Sequence, residues 1–302
     1  MKILITGATG LIGQAIVKQC LAQDFTVYYL TTSKSKIENL PNYKGFYWNP
    51  REQFIDSACL EGVETIINLA GASIAKRWTS DYKETIISSR VNTLKLLYKA
   101  LSENKHNIKH LISASAIGGY PDSLTNYYEE SFSEYSNSFL GDVVKKWEAE
   151  ADTFSVLGLT VSKIRIGLVL DDKEGALPQI VKPTKFGFGA AFGSGDQWQS
   201  WIHVDDLAGI FLHMATHHLE GVFNGVAPNP VSNTELTKAV ANTVKRPLIL
   251  PNIPKFMMKL ILGEMHILLF ESQRVSSKKI ENTGFEFQYV NLKPALEDLL
   301  IS

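Results

Sequence analysis

Residues 2–17, KILITGATGLIGQAIV, decide the fold. Lys2 to Thr6 is a short apolar run of the kind that forms a buried parallel strand, and Leu11, Ala15, Ile16, Val17 and Leu21 then recur at helical spacing to residue 23. Gly7, Gly10 and Gly13 fall between strand and helix. Glycines there permit a tight turn and let backbone N–H groups approach a pyrophosphate, which rests on the positive helix N-terminus. The turn expected to hold a dinucleotide therefore comprises Gly7, Thr9, Gly10, Leu11, Ile12 and Gly13.

Outward from this turn the pattern repeats. TVYYLT (26–31), VETIINLAG (63–71) and IKHLISAS (108–115) read as further buried strands, and residues 80–103 repeat apolar side chains at helical spacing. Strand and helix alternate, so the expected fold is α/β, a Rossmann doubly wound parallel sheet. From about residue 171 the texture turns rich in glycine, proline and aromatic residues, before a helix opens at HVDDLAGIFLHMA and a strand-like GVFNGVA follows. The division expected is a nucleotide-binding domain over 1–170 and 201–226, with 171–200 and 227–302 forming a smaller, mostly helical substrate lobe.

With 302 residues, 45% of them hydrophobic, and a net charge of −1, the chain has the composition of a soluble globular protein. Bulk charge points to no nucleic-acid or membrane partner. The two cysteines, Cys20 and Cys59, suggest neither a disulfide framework nor a metal cage, and no secretory or membrane-spanning segment is evident at MKILITGATG, so a cytoplasmic address is expected. A small-molecule substrate is the partner expected; the sequence does not indicate an oligomeric state.

The end of the second strand bears on which dinucleotide binds. An acidic side chain there accepts from the ribose 2′-hydroxyl of NAD and repels the 2′-phosphate of NADP. The chain reads Leu30, Thr31, Thr32, Ser33, Lys34, with donors and a cation and no carboxylate, which favours NADP(H).

The segments NLAGASIAKRW, SSRVNT, SASAIGGY, KKWEAEA, RIGLVL, GSGDQWQSWIHVDDL and FNGVAPNPVSNTEL follow one another in this order. Together with the glycine spacing, they resemble the YfcH-like epimerase family proteins, an atypical branch of the extended short-chain dehydrogenase/reductases, from residue 1 to about 300. The resemblance implies a Rossmann domain binding NADP(H), with Leu69, Ala70 and Gly71 against the adenosine half and Arg90 near cofactor or substrate. It implies little about the substrate. The branch usually carries an arginine where this chain has Thr32, a departure that weakens the NADP preference without reversing it.

In the wider family a Tyr-x-x-x-Lys pair does the acid–base work, the lysine lowering the tyrosine's pKa, and a serine on the fifth strand holds the substrate hydroxyl. HLISASA supplies Ser113, assigned to the cofactor, and Ser115 at the catalytic serine's position. The matching helix, FLGDVVKKWEAEA (139–151), has no tyrosine: Val144 stands in its place and Glu148 in the lysine's, or Lys146 if the register slips. The one Tyr-x-x-x-Lys, Tyr289 to Lys293, falls too late to join Ser115.

Glu148 is therefore expected to accept from the nicotinamide-ribose hydroxyls, and Tyr120 to replace the missing acid. The resemblance implies a tyrosine pair here in many members of the branch, where this chain has Gly119 before Tyr120 and Pro121 after it. In SWIHVDDL, Asp205 or Asp206 is expected to cap the following helix, while Trp198 and Trp201 are expected to wall the substrate cleft. Two functions follow. One is an NADP(H)-dependent oxidoreductase or nucleoside-sugar-epimerase-like enzyme on a small polar substrate, working through Ser115 and Tyr120; the other is a non-catalytic NADP(H)-binding sensor or scaffold.

Overall fold

Parallel pairing of buried apolar strands organises the computed structural model, which describes residues 1–301. The parallel strands are β1 (Lys2–Thr6), β2 (Thr26–Thr31), β3 (Tyr43–Asn49), β4 (Thr65–Asn68), β5 (His110–Ala116), β6 (Thr160–Ile166) and β7 (Gly221–Gly225). Across the sheet they run β7-β6-β5-β4-β1-β2-β3, and two short antiparallel strands, Asn39–Leu40 and Phe54–Ile55, border β3. The chain starts centrally at β1, winds out to β3, and returns to the other side of β1 at β4. That reversal opens a crevice at the strands' C-terminal ends, where α/β sheets bind ligands. Ile3, Leu4, Ile5, Ile66, Ile67, Leu111 and Ile112 are wholly buried, which explains runs that are apolar without alternation.

The principal helices are α1 (Leu11–Ala22), α2 (Ser80–Glu103), α3 (Phe139–Asp152), α4 (Leu177–Lys185), α5 (Val204–His217), α6 (Asn233–Thr243), α7 (Lys255–Leu262) and α8 (Leu292–Ile301). Helix α1 packs beside α5, and α2 beside α3. Local chemistry sets where they begin: Thr79 Oγ1 accepts from the Tyr82 amide, and Ser138 Oγ accepts from the Gly141 amide.

Helix α5 departs from expectation, because its cap is His203, whose Nδ1 accepts from the Asp205 amide at 3.1 Å. Asp206 instead accepts from the amides of Gln288 and Tyr289 at 2.8 and 2.9 Å, tying the C-terminal segment to α5.

A second apolar core joins Leu170, Leu177, Trp201, Leu236, Val240 and Leu296, drawn from α4, α6, α8 and the strands beside them. Trp201 lies wholly inside it, its indole N–H donating to Asn229 O at 2.9 Å, so it closes this core and does not wall a cleft. Trp198 is half-buried, with the Arg274 guanidinium 4.3 Å over its ring. Tyr289 belongs to the same core, 4.0 Å from the His203 ring, and Lys293 pairs with Glu297 on the surface of α8; that pair is remote from Ser115 in role as well as in sequence.

Candidate active site

The turn after β1 is shaped by what its glycines exclude. Gly7 has φ +73°, a conformation that favours glycine, and its carbonyl accepts from the Gly10 amide at 3.0 Å. A Cβ on Gly13 would lie 2.2 Å from Gly7 O, so helix and turn can touch only without a side chain there. A Cβ on Gly10 would meet nothing closer than Gly7 O at 3.4 Å. Gly10 is therefore spared for space outside the fold, and Gly13 for packing within it.

A cleft of about 880 Å³ opens beside this turn, bordered by Gly7, Thr9, Thr31, Thr32, Ala70 and Gly71 among others. Behind its Ala70 border runs a buried chain of hydrogen bonds. Thr6 Oγ1 donates to Asn68 Oδ1 at 2.8 Å and accepts from the amides of Leu69 and Ala70, and Asn68 Nδ2 donates to Ser113 Oγ at 3.2 Å. Ser113 is thus sealed beneath the cleft, where it fixes the Asn68–Gly71 corner; the direct cofactor contact expected of it gives way to this positioning role. Leu69 backs Gly7, whose added Cβ would meet it at 3.2 Å. Leu11 and Ile12 begin α1, half-buried behind the turn.

Arg90 reaches the same corner from α2. It donates to the carbonyls of Ala72 and Ile86, lies 4.9 Å over the Trp147 ring, and would be 3.0 Å from a Cβ on Gly71. Burial brings its pKa down to about 10, still charged at neutral pH.

At the end of the cleft beside β2, Ser33 is turned to Ser35, its hydroxyl oxygen 2.9 Å from that of Ser35, and Lys34 lies 4.9 Å over the Tyr47 ring. The cation bordering the cleft beside Thr31 and Thr32 is Arg51, which follows β3 with its amide held by Asn49 Oδ1 at 3.1 Å. Sequence reasoning missed it because β3 went unrecognised. YKGFYWN followed by a proline carried the signal, a run rich in aromatic residues ended by a turn residue.

The other end of the crevice is organised around Glu148. Ser115 on β5 and Arg165 on β6 are register partners, and both reach the Glu148 carboxylate on α3. Ser115 Oγ donates to Oε1 at 2.6 Å; Arg165 donates to Oε1 through Nε at 2.8 Å and to Oε2 through Nη2 at 2.9 Å; Tyr135 donates its phenol to Oε2 at 2.7 Å. Glu148 is 2% exposed. Two donors on each oxygen leave no acceptor site for a ribose hydroxyl, so the expected cofactor grip by Glu148 is replaced by a paired carboxylate within the wall. Burial is the largest single influence and opposes its charge, but the Arg165 guanidinium, Ser115 and Tyr135 together outweigh it and hold the pKa below the usual value. The Arg165 pKa is pushed up by the same pairing. An arginine on a buried central strand was the sequence's signal for such a partner.

Tyr120 is wholly buried. Its hydroxyl donates to Asn224 Oδ1 at 2.8 Å, its ring stacks 5.0 Å from Tyr128, and Arg165 lies 4.8 Å over it. Burial raises its pKa. The expected replacement acid is thus a packing residue. The half-buried phenol in the cluster is Tyr135, from the loop before α3, raised to about 12 by burial and by the neighbouring Glu148 charge. Val144 is buried, and Lys146 pairs with Asp142 on the surface at 2.8 Å, so neither register of α3 brings a lysine to Ser115.

Residues 3–140 match the NAD dependent epimerase/dehydratase family, and residues 253–299 match a domain of unknown function, DUF1731. An epimerase family protein of Staphylococcus saprophyticus is 37% identical over 302 residues, 98% of each chain. This chain belongs to the epimerase family proteins. Another epimerase family protein, from Staphylococcus aureus, is 36% identical over 301 residues, again 98% of each. Among solved structures, the human epimerase family protein SDR39U1 with NADPH superposes with a TM-score of 0.86 at 29% identity, over 99% of both chains. A nucleoside-diphosphate sugar epimerase from Corynebacterium glutamicum gives 0.80 at 30% identity, covering 99% of this chain and 58% of that one. The UDP-N-acetylglucosamine 4-epimerase from Bacillus cereus shares the fold, at 19% identity and a TM-score of 0.76.

Proposed function

We propose that this epimerase family protein is an NADP(H)-dependent oxidoreductase or epimerase-like enzyme acting on a carbonyl or hydroxyl group of a small polar substrate. The observation that carries the reading is the cluster Ser115–Glu148–Arg165–Tyr135 at the C-terminal ends of β5 and β6, in the crevice whose other end is the glycine turn. The residues fit the cofactor: Gly10 faces room that a side chain would fill, the cleft has the volume of a nucleotide site, and its adenosine end holds Thr31, Thr32 and Arg51 without a carboxylate on β2. Human SDR39U1, with NADPH, supports the same choice.

The bound cofactor supplies the hydride donor or acceptor. Ser115, its proton committed to Glu148, has lone pairs free to accept from a substrate hydroxyl, and so orients it. Glu148, stabilised as a carboxylate, fixes that serine and is a weak proton acceptor. Tyr135 stays protonated at neutral pH with its one proton held by Glu148, so it donates toward a substrate oxygen by exchanging that hydrogen bond for one to the substrate, a role that suits carbonyl reduction over alcohol oxidation. The test is NADPH consumption over a library of carbonyl compounds, with Ser115→Ala as control. Turnover lost in Ser115→Ala with NADPH affinity retained supports the reading; a parent inert toward every member favours the sensor. One observation favours the sensor: Ser115 and Glu148 are each 2% exposed, and the carboxylate's hydrogen bonds are satisfied within the protein.

A further inference from the structure

Apolar exposure is concentrated in one part of the molecule. Of the eighteen exposed large hydrophobic residues among those described, eight fall in residues 186–188 and 249–261. Helix α7, KFMMKLIL, buries none of its residues: Phe256 is 66% exposed, Leu260 79% and Ile261 64%. Beside it, Phe186 and Phe188 at the end of α4 are 72% and 65% exposed, and Ile249 is 74% exposed. The two segments adjoin in space, since Arg246 Nε donates to Lys185 O at 3.1 Å and the Ile253 amide donates to Ala191 O at 2.8 Å. A chain that only had to stay in solution would not gather its exposed phenylalanines and leucines on neighbouring segments.

Charge in these segments has one sign. Residues 175–195 and 236–263 contain seven lysines and arginines and no aspartate or glutamate, although the whole chain has 30 basic and 31 acidic residues. The near-neutral total therefore conceals a local basic excess in these two segments. Lys255 and Lys259 stand one helical turn apart on α7, and Lys185 and Arg246 flank the phenylalanines; all four are exposed. Carboxylates stand at the margins: Glu174, Asp196, Glu235 and Glu264 adjoin the two segments in sequence, Glu264 ion-paired with Lys83, while Asp172 borders the groove under α4 and Glu271 feels the charge of Lys255.

From this combination we propose that the α7 face is a docking surface for an anionic lipid bilayer. Protruding apolar side chains enter the boundary between headgroups and acyl chains, while the lysines and arginine beside them meet lipid phosphates. A second copy of the chain fits less well, because an isologous contact would bring the same basic residues against themselves. Among the described residues no helix is long and apolar enough to cross a membrane, so the mode is surface attachment. Bulk charge, the basis for expecting no membrane partner, averages this asymmetry away.

Flotation of the full chain with phosphatidylcholine vesicles, with and without one-third phosphatidylglycerol, tests the proposal. The protein should float with the anionic vesicles, far less with neutral ones, and less as salt rises. The paired variants Phe256→Ser/Leu260→Ser and Lys255→Glu/Lys259→Glu should each lower vesicle affinity about tenfold or more while keeping the parent's circular dichroism. These side chains make the α7 surface and no part of the cofactor cleft, so NADPH affinity should not change. Absence of flotation with anionic vesicles at low salt overturns the proposal. Flotation equal in parent and charge-reversed protein also overturns it. A parent that sediments as a dimer split by Phe256→Ser/Leu260→Ser assigns the face to a second copy and overturns it too.

Discussion

Tyr135 and Glu148 are joined by a 2.7 Å hydrogen bond, although one comes from a loop and the other from α3. Gly119 makes room for the contact: a Cβ there would lie 2.8 Å from Val144 Cγ1 and 3.6 Å from Tyr135 Cδ1. Tyr135→Phe should leave NADPH affinity within about twofold of the parent and lower turnover of any carbonyl substrate by roughly a hundredfold or more, the low end for loss of a proton donor. Tyr120→Phe should do the reverse, leaving turnover per folded molecule intact. It strands Asn224 Oδ1 and should cost about 1–3 kcal/mol in denaturant unfolding.

Removing one partner of the Glu148–Arg165 pair should be more damaging than removing both. Arg165 is 5% exposed, so Glu148→Ala leaves a buried cation uncompensated and should cost about 3–5 kcal/mol of stability. Glu148→Leu combined with Arg165→Met should recover much of that loss. Urea unfolding of the two singles and the double measures the coupling.

The pair also sets a direction for acid sensitivity. The folded-state pKa of Glu148 lies below its unfolded value, so the stability it contributes is fully present above the unfolded value and is lost as pH falls through the folded one. Unfolding free energy should therefore decline below the ordinary glutamate pKa. Glu148→Gln, less stable at neutral pH, should show a shallower decline across that window in a pH series of denaturant titrations.

The glycines of the first turn should fail in different ways. Gly10→Val should fold and lose dinucleotide binding, because its side chain points into the space beside the turn. Gly13→Val should be poorly folded, because its Cβ would sit 2.2 Å from Gly7 O. Thermal unfolding read beside NADPH fluorescence titration separates the two, and equal NADPH affinity in Gly10→Val and parent refutes the assignment of the turn.

Arg51 should carry the preference for the 2′-phosphate. The parent is expected to bind NADPH at least about tenfold, or 1.4 kcal/mol, more tightly than NADH, and Arg51→Ala should remove most of that difference without weakening NADH. Calorimetry with both cofactors decides it. Lys34→Ala should have little effect, since that cation is spent on the Tyr47 ring.

The sequence by itself determined the local and periodic features. β1 and β2 fall where their apolar runs lie, and α2 spans the residues its periodicity marks, because burial on both faces of a parallel sheet and on one stripe of a helix leaves its record in residue order. The glycine turn was legible for the same reason, its constraint being local backbone geometry.

Only the tertiary structure decided the site. Ser115, Tyr135, Glu148 and Arg165 come from β5, a loop, α3 and β6, and nothing in their spacing says that three donors converge on one carboxylate. Position on α3 suggested that Glu148 reaches out to a ribose, and position after β5 suggested that Tyr120 supplies a proton. Whether a polar side chain faces a ligand or a buried partner depends on which groups from distant segments satisfy it. That is settled by packing across the sheet, and the linear order of residues does not contain it.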